Sequence, residues 1–111
     1  MELYDRNGDA RVYTVDGVHF FTWGGQPVAY LHGDNVYGFG GNHLGWLVNG
    51  NMYNRNGDCI LFAAAARGGP MKPLRNLKPL KGLKGLKPLK GLRELAPLKP
   101  LFSRSWADCP F

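Results

Sequence analysis

Apolar residues in the first half of the chain occur in short runs separated by turn residues. Runs such as 11–15 and 44–48 are rich in β-branched or aromatic residues, and the pairs Asp16-Gly17 and Asn49-Gly50 follow them. Such pairs supply the positive φ that tight type I′ turns require, so they are strong hairpin signals. The pattern predicts a series of short strands joined by tight turns.

Aromatic residues and glycines in this half recur every 16 or 17 residues, which divides it into four similar units. Three columns share this spacing: Gly8, Gly25, Gly41 and Gly57; Tyr4, Phe21, Tyr37 and Tyr53; and Tyr13, Tyr30, Trp46 and Phe62. One hairpin cannot bury its apolar side, whereas four in a ring can, and closure removes exposed strand edges. We predict an all-β fold: a small, shallow closed barrel of four repeated β-hairpins with pseudo-four-fold symmetry. Its aromatic columns should face inward or stack between units.

From residue 74 onward leucine recurs at every third position. The positions are Leu74, Leu77, Leu80, Leu83, Leu86, Leu89, Leu92, Leu95, Leu98 and Leu101. A helix drifts off a period of three, a strand needs a period of two, and the prolines of this segment exclude a continuous α-helix. Polyproline II has three residues per turn, so this segment is predicted to be extended, with one face of leucine, one of cations and one of proline or glycine.

Gly68-Gly69-Pro70 marks the boundary between the two halves, because this triplet interrupts any regular element. The alanines of 63–66 either complete the last strand or form a single helical turn. We therefore predict a four-fold β-hairpin repeat domain at 1–67 and an extended, polyproline-II-like C-terminal tail at 68–111.

The formal net charge of +6 is concentrated in the tail. Residues 1–70 hold four basic and six acidic side chains, whereas residues 71–111 hold ten basic and two acidic ones. Such asymmetry is typical of a chain with an acidic partner. The candidate partner or anion contacts are Lys72, Arg75, Lys78, Lys81, Lys84, Lys87, Lys90 and Arg93.

The ten leucines of the tail are expected to be buried against another surface, because a soluble chain rarely exposes so large an apolar face. Thirty extended residues would reach about 90 Å, whereas a 70-residue domain has a radius of gyration of about 11 Å. The tail therefore folds back on its own domain in several segments or reaches a neighbour. We expect its leucine face to dock on a ring, either its own or that of another copy.

Candidate sites for chemistry are weak in this sequence. Asp5, Asn7 and Asp9 alternate as in a calcium loop, but Ala10 stands where such a loop needs glycine. The glycines of 38–41 precede no helical pattern, so they do not indicate a phosphate loop. The histidines, at positions 19, 32 and 43, lack metal-ligand spacing. We predict no catalytic residue, no metal site, no cofactor and no small-molecule substrate.

The two cysteines, Cys59 and Cys109, are expected to be free thiols, because the N-terminal residues show no secretory signal, with a disulfide between them as the alternative. No run of 18 or more apolar residues is present, so no membrane-spanning helix is predicted. These features indicate a cytoplasmic protein, with peripheral membrane association left open.

The repeated units, the Gly-Gly-Pro boundary and the period-three tail with Ser103–Trp106 near its end resemble the bacterial 4-fold β-flower proteins. Tyr4–Gly8 and Tyr53–Gly57 look most like the unit of that family. The resemblance covers nearly the whole chain, although Lys and Gly here replace much of the proline that such tails carry. It implies a shallow pseudo-four-fold β-barrel, a bacterial source and no established biochemical activity.

These observations favour a non-enzymatic structural or interaction module, in which the tail packs on the β-domain or on a neighbour. One alternative is peripheral binding of anionic membrane lipid through the Leu/Lys tail. A second is nucleic-acid binding, which is less favoured because residues 72–100 contain no aromatic side chain for base stacking. The partner is unknown, and self-association stays open.

Overall fold

The computed structural model describes all 111 residues and contains eight β-strands and no helix. The strands are β1 (Glu2–Tyr4), β2 (Ala10–Thr14), β3 (His19–Thr22), β4 (Pro27–His32), β5 (Asn35–Tyr37), β6 (His43–Val48), β7 (Asn51–Asn54) and β8 (Cys59–Ala63). Each strand pairs antiparallel with the next, and β8 pairs with β1 to close the barrel. The predicted all-β closed barrel of four hairpins is confirmed.

Each unit contributes one hairpin with a first turn, and a second turn links it to the following unit. In the second turn between β6 and β7, Asn49 and Gly50 both have positive φ, as a type I′ turn requires. In the first turn of unit one, the Asp5 carboxylate accepts hydrogen bonds from the main-chain N–H groups of Asn7 and Asp9 at 2.9 and 3.0 Å. The Asp5 carboxylate, the first of the three alternating polar side chains of this segment, therefore closes a turn.

An irregularity in strand register recurs at the same place in all four hairpins. It lies between Leu3 and Tyr4 in unit one and between Phe20 and Phe21 in unit two, and its counterparts lie in β5 and β7. A bulge bends a strand and increases its local twist. Four equivalent bulges supply the curvature that closes so short a barrel.

The interior of the barrel is a single layer of mostly modest apolar side chains. They are Leu3, Val12, Phe20, Ala29, Val36, Met52, Ile60 and Leu61. Seven of the eight immediately precede a residue of the aromatic columns, Ile60 being the exception. Because successive side chains of a strand point to opposite faces, the aromatic columns line the outer wall.

The prediction that the aromatic columns face inward is therefore wrong, and the alternative that they stack between units is confirmed. Tyr13 of unit one lies 5.9 Å from Phe21 of unit two, between ring centroids, and Tyr30 lies 5.8 Å from Tyr37. Tyr4 and Phe62 join the first and last units at 5.7 Å. An eight-stranded barrel has an interior just wide enough for side chains to fill, so eight aromatic rings do not fit inside this one.

The last strand ends at Ala63, the next two alanines form a turn, and no further strand follows. The division into a domain at 1–67 and a tail at 68–111 stays a prediction. The tail folds back on its own barrel and gives a disc of 37 × 35 × 20 Å.

The C-terminal segment covers part of the barrel at its first-turn end. The N–H of Cys59 donates to Ser105, and the N–H of Ala107 donates back to Cys59, so the chain adds a short parallel bridge to β8. Phe111 then packs against the interior cluster and accepts a hydrogen bond from Arg11 through its main-chain oxygen.

Candidate functional site

One hydrogen bond, repeated four times, ties the tail to the four units in order. Main-chain N–H groups of the tail donate to main-chain carbonyls of first-turn glycines, each at 2.8 Å. The pairs are Asn76 to Gly8, Gly85 to Gly25, Glu94 to Gly41 and Ser103 to Gly57. Nine residues of tail therefore match one unit of the barrel.

The sequence-based prediction missed this nine-residue period. Its signal is present in the chain, since Lys72-Pro73, Lys81-Gly82, Lys90-Gly91 and Lys99-Pro100 recur at that spacing. The nine-residue period is hard to recognise in the sequence, because the leucines repeat every three residues and dominate the pattern.

Two glycines of the tail permit its close approach to the first turns of units two and three. The N–H groups of Gly82 and Gly91 donate to the carbonyls of Trp23 and Phe39 at 2.8 and 2.6 Å. A Cβ atom at Gly82 would lie 2.3 Å from the carbonyl oxygen of Gly24, closer than van der Waals contact allows. The glycines of this tail are therefore part of its fit to the barrel.

Gly82→Ala is expected to destabilise the protein by about 1–3 kcal/mol, the usual cost of overpacking. Thermal unfolding followed by circular dichroism measures this change. Gly85→Ala is the matched control, because a Cβ at Gly85 meets its nearest atom at an ordinary 3.5 Å. Equal unfolding temperatures for the two variants would contradict the close approach.

The cation face of the tail lies over the aromatic outer wall. Arg75 is 5.6 Å from the centroid of the Tyr4 ring, and Lys81 is 4.3 Å from that of Tyr13. The same arrangement holds for Lys84 over Phe21, Lys90 over Tyr30 and Arg93 over Tyr37. Each such contact contributes about 0.5–1 kcal/mol at an exposed site. The cations therefore help to hold the tail in place.

Unit four replaces the cation with an aromatic ring. Phe102 occupies the position equivalent to Arg93 and stacks on Tyr53, with centroids 4.1 Å apart and planes 8° from parallel. Trp106 then covers Phe62 edge-on at 5.8 Å. The end of the tail is held by ring stacking where the earlier groups of nine use cations.

The remaining cations of the predicted contact set have different surroundings. Lys78 pairs with Glu2 at 2.8 Å, and this hydrogen bond holds the pKa of the Glu2 carboxyl below its usual value. Lys72 donates to the main-chain oxygens of Gly68 and Pro70 at 2.7 Å. Lys87 makes no hydrogen bond, ion pair or cation–π contact. Seven of the eight cations thus have partners within the chain, and their role toward another molecule stays a prediction.

Glu94 is an anchor that the sequence analysis did not single out. Its carboxylate accepts a hydrogen bond from the main-chain N–H of His43 at 2.5 Å, and its carbonyl accepts one from the Tyr37 hydroxyl at 3.0 Å. These bonds fix the tail on the wall of unit three, beside the repeated bond to Gly41.

The leucine face points away from the barrel. All ten leucines from Leu74 to Leu101 are 91–99% exposed. The expectation that this face docks on the protein's own ring is wrong. The proline/glycine face of the tail contacts the main-chain carbonyls of the first turns, and the cation face of the tail contacts the aromatic wall of the barrel. In a chain with a period of three, the remaining face must turn outward. We call these ten side chains the leucine belt.

The leucine belt is large for an exposed apolar surface. At roughly 60–120 Å² of buried apolar area per leucine, ten leucines offer about 600–1,200 Å². The largest apolar patch of an ordinary monomer is about 300–600 Å², and larger ones mark interaction sites. The belt is therefore the strongest candidate for a functional surface.

The cavities of the protein are open grooves between the tail and the barrel wall. One of them, with a volume of about 510 Å³, is lined by Tyr30, Tyr37, Lys90 and Glu94 among others. No group of three His, Cys, Asp or Glu side chains is arranged to hold a metal ion.

The histidines and cysteines occupy separate places. His19 pairs with Asp16 at 2.7 Å, and His43 lies 3.0 Å from the amide oxygen of Asn35. Cys59 and Cys109 are free, and burial raises the pKa of the Cys59 thiol to about 11. A thiol with a raised pKa is a poor nucleophile at neutral pH.

Comparison with known proteins gives one result. A family model described as 4-fold beta flower protein matches residues 1–111. Searches of curated proteins and of solved structures found no match. The structure contains no helix long and apolar enough to cross a bilayer.

Proposed function

Since this chain belongs to the 4-fold beta flower family, whose description names a fold and no reaction, we propose that it is a non-enzymatic interaction module. Its barrel acts as a frame that holds the tail, and the tail presents an apolar surface to a partner. Family membership supports the architecture, and the partner-binding role is argued from the geometry of the tail.

The observation that carries this proposal is that the leucine belt is exposed although the tail is hydrogen-bonded to the barrel. Hydrogen bonds to the first turns recur every nine residues, so the leucines are held in place before any partner arrives. Preorganisation lowers the entropic cost of binding. A disordered linker of the same composition would lack this advantage.

Contact with an anionic membrane is the second candidate. Tail cations alternate with the leucines and stay partly exposed, and each cation near an anionic surface contributes about 1 kcal/mol. Their contacts with the barrel make the leucines the more available face, so an apolar contact is favoured. Nucleic acid is less favoured still, because the aromatic rings needed for base stacking lie beneath the tail.

The test compares the protein with Leu77→Ser/Leu86→Ser/Leu95→Ser and with the cation control Lys78→Gln/Lys84→Gln/Lys87→Gln. Association with itself is measured by sedimentation velocity, and binding to neutral and anionic vesicles by co-sedimentation. The leucine variant is expected to keep the parent unfolding temperature within a few degrees, because its three side chains are 95–99% exposed. It should lose most of whatever association the parent shows.

Because Lys78 and Lys84 also contact the barrel, circular dichroism first checks that the cation control is folded like the parent. The folded control is expected to retain association with an apolar partner. Loss of anionic-vesicle binding in the cation control alone would favour the membrane candidate. A parent protein that associates with none of the three probes, or a leucine variant that associates as well as the parent, would refute the interaction-module proposal.

A further inference from the structure

The repeated hydrogen bonds divide the leucine belt into three equivalent edges. Between the anchors at Asn76, Gly85, Glu94 and Ser103 lie three spans of tail, and each carries three leucines. The edges are Leu77, Leu80 and Leu83; Leu86, Leu89 and Leu92; and Leu95, Leu98 and Leu101. The side of the disc beyond Ser103 carries no leucine.

We propose that these leucine edges bind the leucine edges of further copies of this protein, so that discs associate side by side. The inference rests on the proposed function and names its partner as a second copy. The three edges repeat the same leucine spacing. When two edges are related by a two-fold axis, the leucine side chains of each edge can therefore fit into the spaces between the leucines of the other. Such self-complementarity is what a two-fold interface requires.

The placement of charge favours another copy over an anionic surface. Lys81 and Lys90 lie over rings of the barrel wall, and Lys99 pairs with Asp34. Six of the seven cations from Lys78 to Lys99 contact the barrel, Lys87 being the exception, whereas the leucines of each edge are almost fully exposed. The net charge of +6 still opposes association, and salt screens that repulsion.

The area of one edge determines how such an assembly behaves. Three leucines bury roughly 180–360 Å² per partner, well below the 800 Å² per partner of a standard stable interface. A single pair of edges is therefore weak, and stable association needs several edges to engage at once. We expect species larger than dimers that grow with concentration, without a dominant dimer.

The experiment is sedimentation velocity over a concentration series, at about 0.1 M and about 1 M salt. The parent should form species larger than dimers, and more of them at high salt. A variant with serine at all six leucines of the second and third edges keeps one edge and should form at most a weak dimer. A variant with serine at all nine edge leucines should stay monomeric. Circular dichroism confirms that each variant is folded.

Three outcomes would overturn the inference. They are a parent that stays monomeric at every concentration, a parent that stops at a dimer, and variants that assemble like the parent. The same samples are tested with neutral and anionic vesicles. Leucine-dependent vesicle binding by a monomeric parent would leave the interaction module standing with a membrane as partner, whereas no binding at all would refute both proposals.

Discussion

Truncation after Pro70 is expected to leave residues 1–70 without a cooperative folding transition. The aromatic columns lie on the outer wall of the barrel, and the tail covers them. Arg75, Lys81 and Phe102 each lie over a ring of this wall. Without the tail, side chains such as Tyr13 and Tyr53, each 4% exposed in the intact protein, become accessible to water.

The size of this effect follows from the number of rings. Burial of a large apolar side chain contributes about 1.5–3 kcal/mol. Loss of even half that contribution at eight aromatic positions amounts to roughly 6–12 kcal/mol, which is comparable with the whole stability of a small domain, about 5–15 kcal/mol. Truncation should therefore abolish the native state.

Thermal circular dichroism and the dispersion of one-dimensional proton NMR spectra test this result. The full-length leucine variant Leu77→Ser/Leu86→Ser/Leu95→Ser is the control, because it changes the exposed side of the tail and keeps every contact with the barrel. A 1–70 fragment that unfolds in a sharp transition near the temperature of the parent would show that the barrel is stable alone.

Phe20→Ala is expected to lower the free energy of unfolding by about 3–5 kcal/mol. Phe20 is fully buried and is the largest side chain of the interior layer, where it lies opposite Ala29 of the neighbouring strand. Side chains around a buried site relax only partially when a ring is removed, so most of the cavity should persist.

Chemical denaturation of the variant measures this loss directly. Val15→Ala is the matched surface control, because Val15 lies in a second turn and is 74% exposed, and its change should stay within about 0.5 kcal/mol. A loss below about 1 kcal/mol in Phe20→Ala would show that the barrel collapses around the missing ring.

The strands and turns could be predicted because their signals are local. Asn49-Gly50 and Asp16-Gly17 specify tight turns through their own backbone preferences, and the 16-residue spacing of the aromatic columns specifies the four-fold repeat. Closure was predicted because pairing the last strand with the first removes the exposed edges of four short hairpins.

The face of the strands that forms the interior could not be predicted in the same way. Leu3 and Tyr4, like Val12 and Tyr13, place apolar side chains on opposite faces of one strand, so alternation alone does not identify the inside. The volume of the closed barrel decides which face lies inside, because the smaller side chains, such as Leu3 and Val12, fit within the barrel and the aromatic rings do not.

The candidate site, too, could be predicted from the sequence only in part. The three faces of the tail and their composition are determined by the sequence, through the period of three and the prolines. Which face meets the barrel was decided only in the tertiary structure, because first-turn carbonyls and an outer wall of aromatic rings bind main-chain N–H groups and cations. Hydrophobicity alone would have turned the leucines inward. The sequence thus determined the elements and the repeat, and the tertiary structure decided which apolar surface is covered, since that choice depends on the groups each face meets.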